Sequence, residues 1–198
     1  MTKSGVNNTN KLILASKSPR RAEILRAVGW PFEVVAPNID ETRGPHEDAV
    51  SYVKRLAQTK AETVAKQFPD ALVVGADTVV LVDDEILGQP RDENDARRML
   101  NLLSGKWHEV LTGVALVNKS NGVLVKHEST RVLFAGLSEK EIDEYISTRE
   151  PMDKAGAYAI QGRAALFIEK IQGDYFNIVG LPIRLVYELI RTLEDNSK

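Results

Sequence analysis

The sequence predicts an α/β protein. Strand-like and helix-like segments alternate along its 198 residues without a long linker. The apolar run Leu12-Ile13-Leu14 passes through small hydroxyl residues straight into a helical pattern at Ser18-Pro19-Arg20-Arg21. Near the other end, Gly180-Leu181-Pro182 opens a helix whose Val186, Leu189, Ile190 and Leu193 recur at the i, i+3, i+4, i+7 spacing.

In the first helix Ser18 suits the N-cap and Pro19 the first helical position, where a missing N–H is not needed. Ile24, Leu25 and Val28 continue the pattern. A short strand is expected over 32–36, followed by a polar loop with Asp40, Glu41, Thr42 and Arg43. Residues 46–68 read as a long helix with an apolar stripe through Val50, Val53, Leu56, Ala57, Val64 and Phe68. A strand over 72–82 turns at Asp83-Asp84 into a return strand over 85–87. Asp92 caps a helix reaching Leu103, with Gly105 just past its end. Residues 110–117 and 123–134 read as strands paired about a turn at Lys119-Ser120-Asn121-Gly122. Ser138 and Glu141 form a capping box for a helix running to Ser147. The Gly-rich segment 153–162 then precedes a strand expected over 164–171.

Composition bounds the function. An apolar share of 43% and a charged share of 27% are ordinary for a soluble domain. A net charge of −2 argues against a nucleic-acid binder built on a broad basic surface. Cysteine is absent, which excludes disulfides, thiolate metal sites and a cysteine nucleophile. No uncharged apolar run suits a membrane span. Residues 1–10 lack the apolar core of a secretory signal and read as a disordered tail, leaving 11–198 as one domain and the cytoplasm as the expected compartment.

Several side chains invite chemistry. Arg20 and Arg21 oppose the positive end of a helix dipole, a misfit relieved if an anion joins the free N–H groups, the hydroxyls and the guanidinium forks. A solvated basic turn is the alternative. Asp77 interrupts Val73-Val74-Gly75-Ala76-Asp77-Thr78-Val79-Val80-Leu81, where an ionised carboxylate is costly unless paired, metal-bound or facing a cleft. An edge strand with a solvated Asp would also satisfy the pattern. Gly75 points to a bulge or the close approach of a ligand. Lys60 flanks the apolar stripe, one turn from Leu56 and Val64, where it can snorkel to solvent or meet a ligand. Asp40 and Glu41 offer oxygen ligands for a hard cation such as Mg²⁺, or are simply solvated. His46, His108 and His127 show no metal-ligand spacing and are read as structural or surface residues, with His108 set apart because it follows the polar Ser104-Gly105-Lys106 loop. The 153–162 loop could close over a planar ligand, with Gln161 offering a donor and an acceptor. Neither a P-loop, a Gly-x-Gly-x-x-Gly motif nor a Gly-x-Ser-x-Gly elbow occurs.

In order, the stretches Leu14-Ala15-Ser16-Lys17-Ser18-Pro19-Arg20-Arg21, Ile39-Asp40-Glu41, Leu56-Ala57-Gln58-Thr59-Lys60-Ala61, Gly75-Ala76-Asp77-Thr78-Val79-Val80, Leu103-Ser104-Gly105, Thr112-Gly113, Asp153-Lys154-Ala155-Gly156-Ala157-Tyr158 and Asn177-Ile178-Val179-Gly180-Leu181-Pro182 resemble the Maf family of nucleotide pyrophosphatases. The resemblance implies a mixed twisted sheet flanked by helices, with two lobes around a central cleft, similar to inosine triphosphate pyrophosphatase. It implies hydrolysis of a nucleoside triphosphate between the α and β phosphates, with Mg²⁺ or Mn²⁺ as cofactor. Ser16, Arg20, Arg21 and Lys60 would bind phosphates, and Asp77 would accept the proton of the attacking water. Glu41 and Asp77 would hold the metal, and Arg20, Thr78 and Gln161 would govern substrate choice. The 153–162 segment, with Gly173-Asp174-Tyr175-Phe176-Asn177, resembles the branch acting on dTTP and UTP. A 7-methyl-GTP or broad-range pyrophosphatase, or a regulatory protein that binds nucleotides without cleaving them, are the alternatives. The expected partner is a small-molecule nucleotide, with neither nucleic acid nor membrane, and the family implies a homodimer. One departure stands out: many members carry Gly-Lys-Pro where this chain has Gly88-Gln89-Pro90, with Arg91 a candidate to compensate.

Overall fold

The computed structural model describes residues 11–118 and 122–195. The tail expected over 1–10 and the turn expected at Lys119-Ser120-Asn121 lie outside the described residues. Seven strands form a mixed sheet flanked by helices, in the order β2-β1-β3-β5-β6-β7, with β4 hydrogen-bonded to β3 off that path. The strands are β1 Leu12–Ala15, β2 Glu33–Val34, β3 Leu72–Val82, β4 Glu85–Leu87, β5 Trp107–Asn118, β6 Gly122–Phe134 and β7 Ile168–Gln172. The helices are α1 Pro19–Ala27, α2 Ala49–Ala65, α3 Glu93–Leu103, α4 Glu139–Ser147, α5 Tyr175–Val179 and α6 Ile183–Asp195.

Packing sorts the chain into two units. The first takes the described residues up to Asp77, those of Thr112–Glu128 and those from Gly180 onward; the second takes Thr78–Leu111 and Ser129–Val179. In the first unit β1 runs parallel to both β2 and β3, with Ala15 opposite Gly75. Its core gathers Ile13, Ala15, Ala57, Ala61, Val64 and Val73. Helix α2 lies very close to the sheet at two glycines. A Cβ on Gly75 would stand 2.2 Å from the Ala57 carbonyl oxygen, and one on Gly113 2.2 Å from that of Val53. Gly75 therefore serves helix packing within the fold, where the sequence pointed to a bulge or a ligand.

In the second unit β3 and β4 form an antiparallel hairpin, and both turn residues, Asp83 and Asp84, have positive φ. That conformation suits Asp, whose short polar side chain tolerates it. The core here is aromatic, with Phe134, Tyr145, Tyr158 and Phe167 among Val80, Leu100, Leu103 and Val132.

The predicted caps are present for α3 and α4: Asp92 accepts from the Asp95 N–H at 2.8 Å, and Ser138 with Glu141 completes the capping box. Elsewhere the boundaries move. The helix expected over 46–68 starts at Ala49, because Asp48 caps it by accepting from Ser51 N–H at 2.9 Å while His46 has positive φ. The strand expected over 164–171 begins only at Ile168, since Arg163–Phe167 winds as a 3₁₀ turn that turns Ala164 and Phe167 inward. Helix α5 has only five residues and was not expected; it buries Asn177, whose amide donates to the Val110 carbonyl at 2.9 Å.

Candidate active site

Five of the residues singled out in the sequence lie in the first unit and converge. Strand β1 delivers Ser16 and β3 delivers Asp77, because these parallel neighbours are in register at Ala15 and Gly75. Helix α1 supplies Arg21 from its first turn, α2 supplies Lys60, and the loop before α2 supplies Glu41. Ser16, Arg21, Lys60 and Asp77 are all buried.

Ser18 occupies the N-cap position of α1, yet its side chain makes no capping bond. Ser16 does part of that work: its Oγ accepts from Ser18 N–H at 3.1 Å and from Arg21 Nη1 at 3.2 Å. Arg21 Nε donates to the Gly180 carbonyl at 2.7 Å, so the buried guanidinium is fixed from two sides. Burial lowers its pKa, opposed by the charge of Asp77 and aided by Arg20. Arg20 is half-buried on the same turn.

Lys60 does not snorkel. Its Nζ donates to Asp77 Oδ1 at 2.6 Å and lies 3.0 Å from Glu41 Oε1. Burial raises the Asp77 pKa, while Lys60 and Arg21 pull it back and Glu41 adds to the rise. The carboxyl is thereby moved toward the range in which a general base is effective near neutral pH. Glu41 is more exposed than its partners, and its loop is held by residues with no signature in sequence. Tyr52 Oη donates to the Glu41 carbonyl at 2.7 Å, and Arg55 donates to the Thr42 carbonyl at 3.1 Å. Tyr52 also has a raised pKa, through burial and then the charges of Asp77 and Glu41.

Asp40, paired with Glu41 in the sequence as a possible metal ligand, instead closes a turn by accepting from the N–H and hydroxyl of Thr42 at 2.8 and 2.6 Å. Glu41 and Asp77 remain as two carboxylates directed at one point, Lys60 Nζ. Among the described residues no group of three or more His, Asp or Glu forms a metal cage. Two carboxylates nevertheless supply the hard oxygen donors that suit Mg²⁺, which characteristically keeps waters and substrate phosphates as its other ligands.

The description Maf-like protein fits residues 11–193 of this sequence. The chain belongs to the Maf family. It is 53% identical over 180 residues to the dTTP/UTP pyrophosphatase of Symbiobacterium thermophilum, covering 91% of this chain and 92% of that one. The dTTP/UTP pyrophosphatase of Bacillus cytotoxicus is also 53% identical over 180 residues, with 90% and 94% covered. The Staphylococcus aureus Ham1 protein has the same fold, with a TM-score of 0.56 over 92% of this chain and 99% of that one, at 13% identity.

Two further residues singled out in this Maf chain, Thr78 and Gln161, belong to the second unit. Thr78 follows Asp77 on β3, so strand alternation turns their side chains to opposite faces. Gln161 is exposed on the loop after Tyr158. Also in this unit, Gln89 Nε2 donates to the Asp153 carbonyl at 3.3 Å. Arg91, considered as a substitute for the missing lysine, is held by Asp95, which accepts from its backbone N–H and from its Nε, both at 3.2 Å. Asp95 also accepts from Arg98 at 3.0 Å, so Arg91 belongs to a structural ion-pair network. His108 is buried against Phe134 and Tyr158. Among the described residues no helix is long and apolar enough to cross a membrane.

Proposed function

We propose that this chain hydrolyses dTTP and UTP between the α and β phosphates, giving the nucleoside monophosphate and pyrophosphate. The observation that carries this reading is the buried Asp77–Lys60 pair, with Glu41 at its edge and the fixed Arg21–Ser16 pair in the same unit. The relatives described above are named for that activity. A buried carboxylate of raised pKa can take the proton of a water attacking the α-phosphorus. Positioning and charge stabilisation supply most of what phosphoryl-type chemistry requires.

In this mechanism Arg21 binds phosphate oxygens from a guanidinium already oriented by Gly180 and Ser16, so little ordering is required on binding. Arg20, on the same turn, contacts the phosphates and biases substrate choice. Asp77 holds and activates the water. Lys60 spends two of its three N–H directions on Asp77 and Glu41, and the third serves a phosphate oxygen. As the bond to the leaving pyrophosphate breaks, that ammonium offsets developing charge. Glu41 and Asp77 would hold a divalent cation, Mg²⁺ or Mn²⁺, which neutralises phosphate charge when bound. Gln161 contacts the base, its amide accepting from the N3–H of uracil or thymine and donating to a ring carbonyl, and Thr78 influences substrate choice from the opposite face of β3.

The test is to incubate the pure protein with Mg²⁺ or Mn²⁺ and a panel including dTTP, UTP, CTP, GTP and 7-methyl-GTP, and to identify the products. Monophosphate and pyrophosphate from dTTP and UTP are expected. Diphosphate and orthophosphate would overturn the cleavage position, and a preference for 7-methyl-GTP would overturn the substrate class. Thermal stabilisation by nucleotide with no product in either metal would make the chain a binding protein.

A further inference from the structure

The loop carrying Gln161 is held by a short hydrogen-bonded ring that the chemistry above does not use. Residues Ala159, Ile160, Gln161 and Gly162 form a tight turn, closed by the Gly162 N–H donating to the Ala159 carbonyl at 3.0 Å. At its entrance the Ala159 N–H donates to Tyr145 Oη at 3.3 Å. Tyr145 Oη in turn donates to Glu150 Oε1 at 2.9 Å. At the exit of the turn, Arg163 N–H donates to Glu150 Oε2 at 3.1 Å. One carboxylate and one phenol therefore grip both ends of the turn and are bonded to each other.

The grip is rigid for identifiable reasons. Tyr145 is 1% exposed, and its ring stands edge-on to Phe167 at 5.3 Å between centroids. Burial raises its pKa, with Glu150 adding to the rise, so the hydroxyl stays protonated as a donor. Glu150 follows directly on Arg149, which has positive φ, and its own N–H donates to Thr148 Oγ1 at 3.2 Å. Gly162 lets the carboxylate approach the turn, since a Cβ there would stand 2.2 Å from Glu150 Oε1.

We propose that Tyr145 and Glu150 are positioning residues for base recognition, acting together as a clamp that presents the Gln161 amide to the pyrimidine ring. This rests on the reading above in which Gln161 contacts the base. A side-chain amide discriminates only when its backbone is fixed, because a mobile turn pays ordering entropy on each binding event. The clamp removes that cost in advance. It touches neither the phosphates nor the reacting atoms, so its loss should weaken base recognition and leave phosphate binding intact.

The experiment measures the affinity of the full-length protein for α,β-imido-dUTP and for inorganic tripolyphosphate by titration calorimetry, in wild type, Tyr145→Phe, Glu150→Gln and Gln161→Ala. Gln161→Ala is expected to weaken the dUTP analogue about tenfold and leave tripolyphosphate unchanged. Tyr145→Phe keeps the ring packed on Phe167 and should weaken the dUTP analogue about three- to tenfold, the effect of losing the neutral hydrogen bond that holds the Ala159 N–H. Glu150→Gln retains one acceptor oxygen and should fall between wild type and Tyr145→Phe. It also tests the clamp if Tyr145→Phe does not fold. Equal losses for both probes in the clamp variants would mean a merely structural role and overturn the proposal. Wild-type dUTP-analogue affinity in both clamp variants, with Gln161→Ala impaired, overturns the clamp alone. An unimpaired Gln161→Ala removes the role given to Gln161, and the clamp with it.

Discussion

Lys60 donates to Asp77 at 2.6 Å with both side chains buried, and the space for that contact is made by Gly75. Gly75 lies two residues before Asp77 on β3. A Cβ there would sit 2.2 Å from the Ala57 oxygen and 2.9 Å from the Ala61 nitrogen, the α2 backbone on either side of Lys60. The missing side chain thus sets the depth at which the helix rides on the sheet, and that depth brings ammonium to carboxylate.

Gly75→Ala should therefore damage both fold and site. The obstructing atoms are backbone and cannot rotate away, so α2 must shift. Overpacking of this kind costs about 1–3 kcal/mol. Urea unfolding should show that loss, and activity should fall by more than the unfolded fraction explains, because the Lys60–Asp77 distance changes. Full activity in the folded Gly75→Ala protein would break the link between helix depth and site.

The pair itself can be tested with a double-mutant cycle. Removing one partner of a buried ion pair commonly costs about 3–5 kcal/mol, because the remaining charge is left uncompensated. Lys60→Met should approach that loss, tempered by protonation of Asp77, whose pKa is already raised by burial. Lys60→Met combined with Asp77→Asn should be more stable than the sum of the single effects. Asp77→Asn alone should retain the fold and lower turnover at least a hundred- to ten-thousandfold, the usual contribution of a general base. Near-normal turnover in that variant would remove Asp77 as the base.

Much of this arrangement was legible in the sequence because its signals are local. A carboxylate within an apolar strand, a lysine beside an apolar helical stripe and a Ser-Pro helix start each stand out against a simple pattern. Tyr52, Tyr145 and Glu150 carry no such mark. Their hydroxyl and carboxylate groups matter only because distant backbone is brought to them, and a tyrosine on a helix otherwise reads as core. The same holds for Gly75, whose constraint comes from the approach of α2, and for residues 163–167, where inward packing of Ala164 and Phe167 overrides strand-like composition.

Gln89→Lys should restore a charge that many Maf proteins carry at this position. Gln89 now donates to the Asp153 carbonyl, and Arg91 is committed to Asp95. An ammonium meets a phosphate as a full charge pair, worth up to about 1 kcal/mol where the pair is partly exposed to solvent. The KM for dTTP should fall about fivefold at low salt, with kcat little changed, and the gain should shrink as ionic strength rises. An unchanged KM would mean that position 89 does not reach the phosphates in this chain.

His108 should make the protein acid-sensitive over a defined window. Its Nε2 lies 2.9 Å from Tyr158 Oη, and its Nδ1 is buried without a hydrogen-bond partner among the described residues. Burial pushes its pKa from the ordinary 6.5 down to about 4, opposed weakly by the nearby Lys106 backbone. The unfolded chain therefore binds a proton between those values that the folded protein refuses, so stability falls as pH falls. The contribution is complete above pH 6.5 and is lost on the way down to about 4, amounting to roughly 3 kcal/mol. Urea unfolding of wild type and His108→Gln across this range measures it. The variant should be less stable at neutral pH, having lost the ring packing on Phe134, yet its stability should decline less between pH 6.5 and 4. Parallel curves for the two proteins would show that His108 takes up its proton equally in the folded and unfolded states, and would overturn the reading of a buried neutral imidazole.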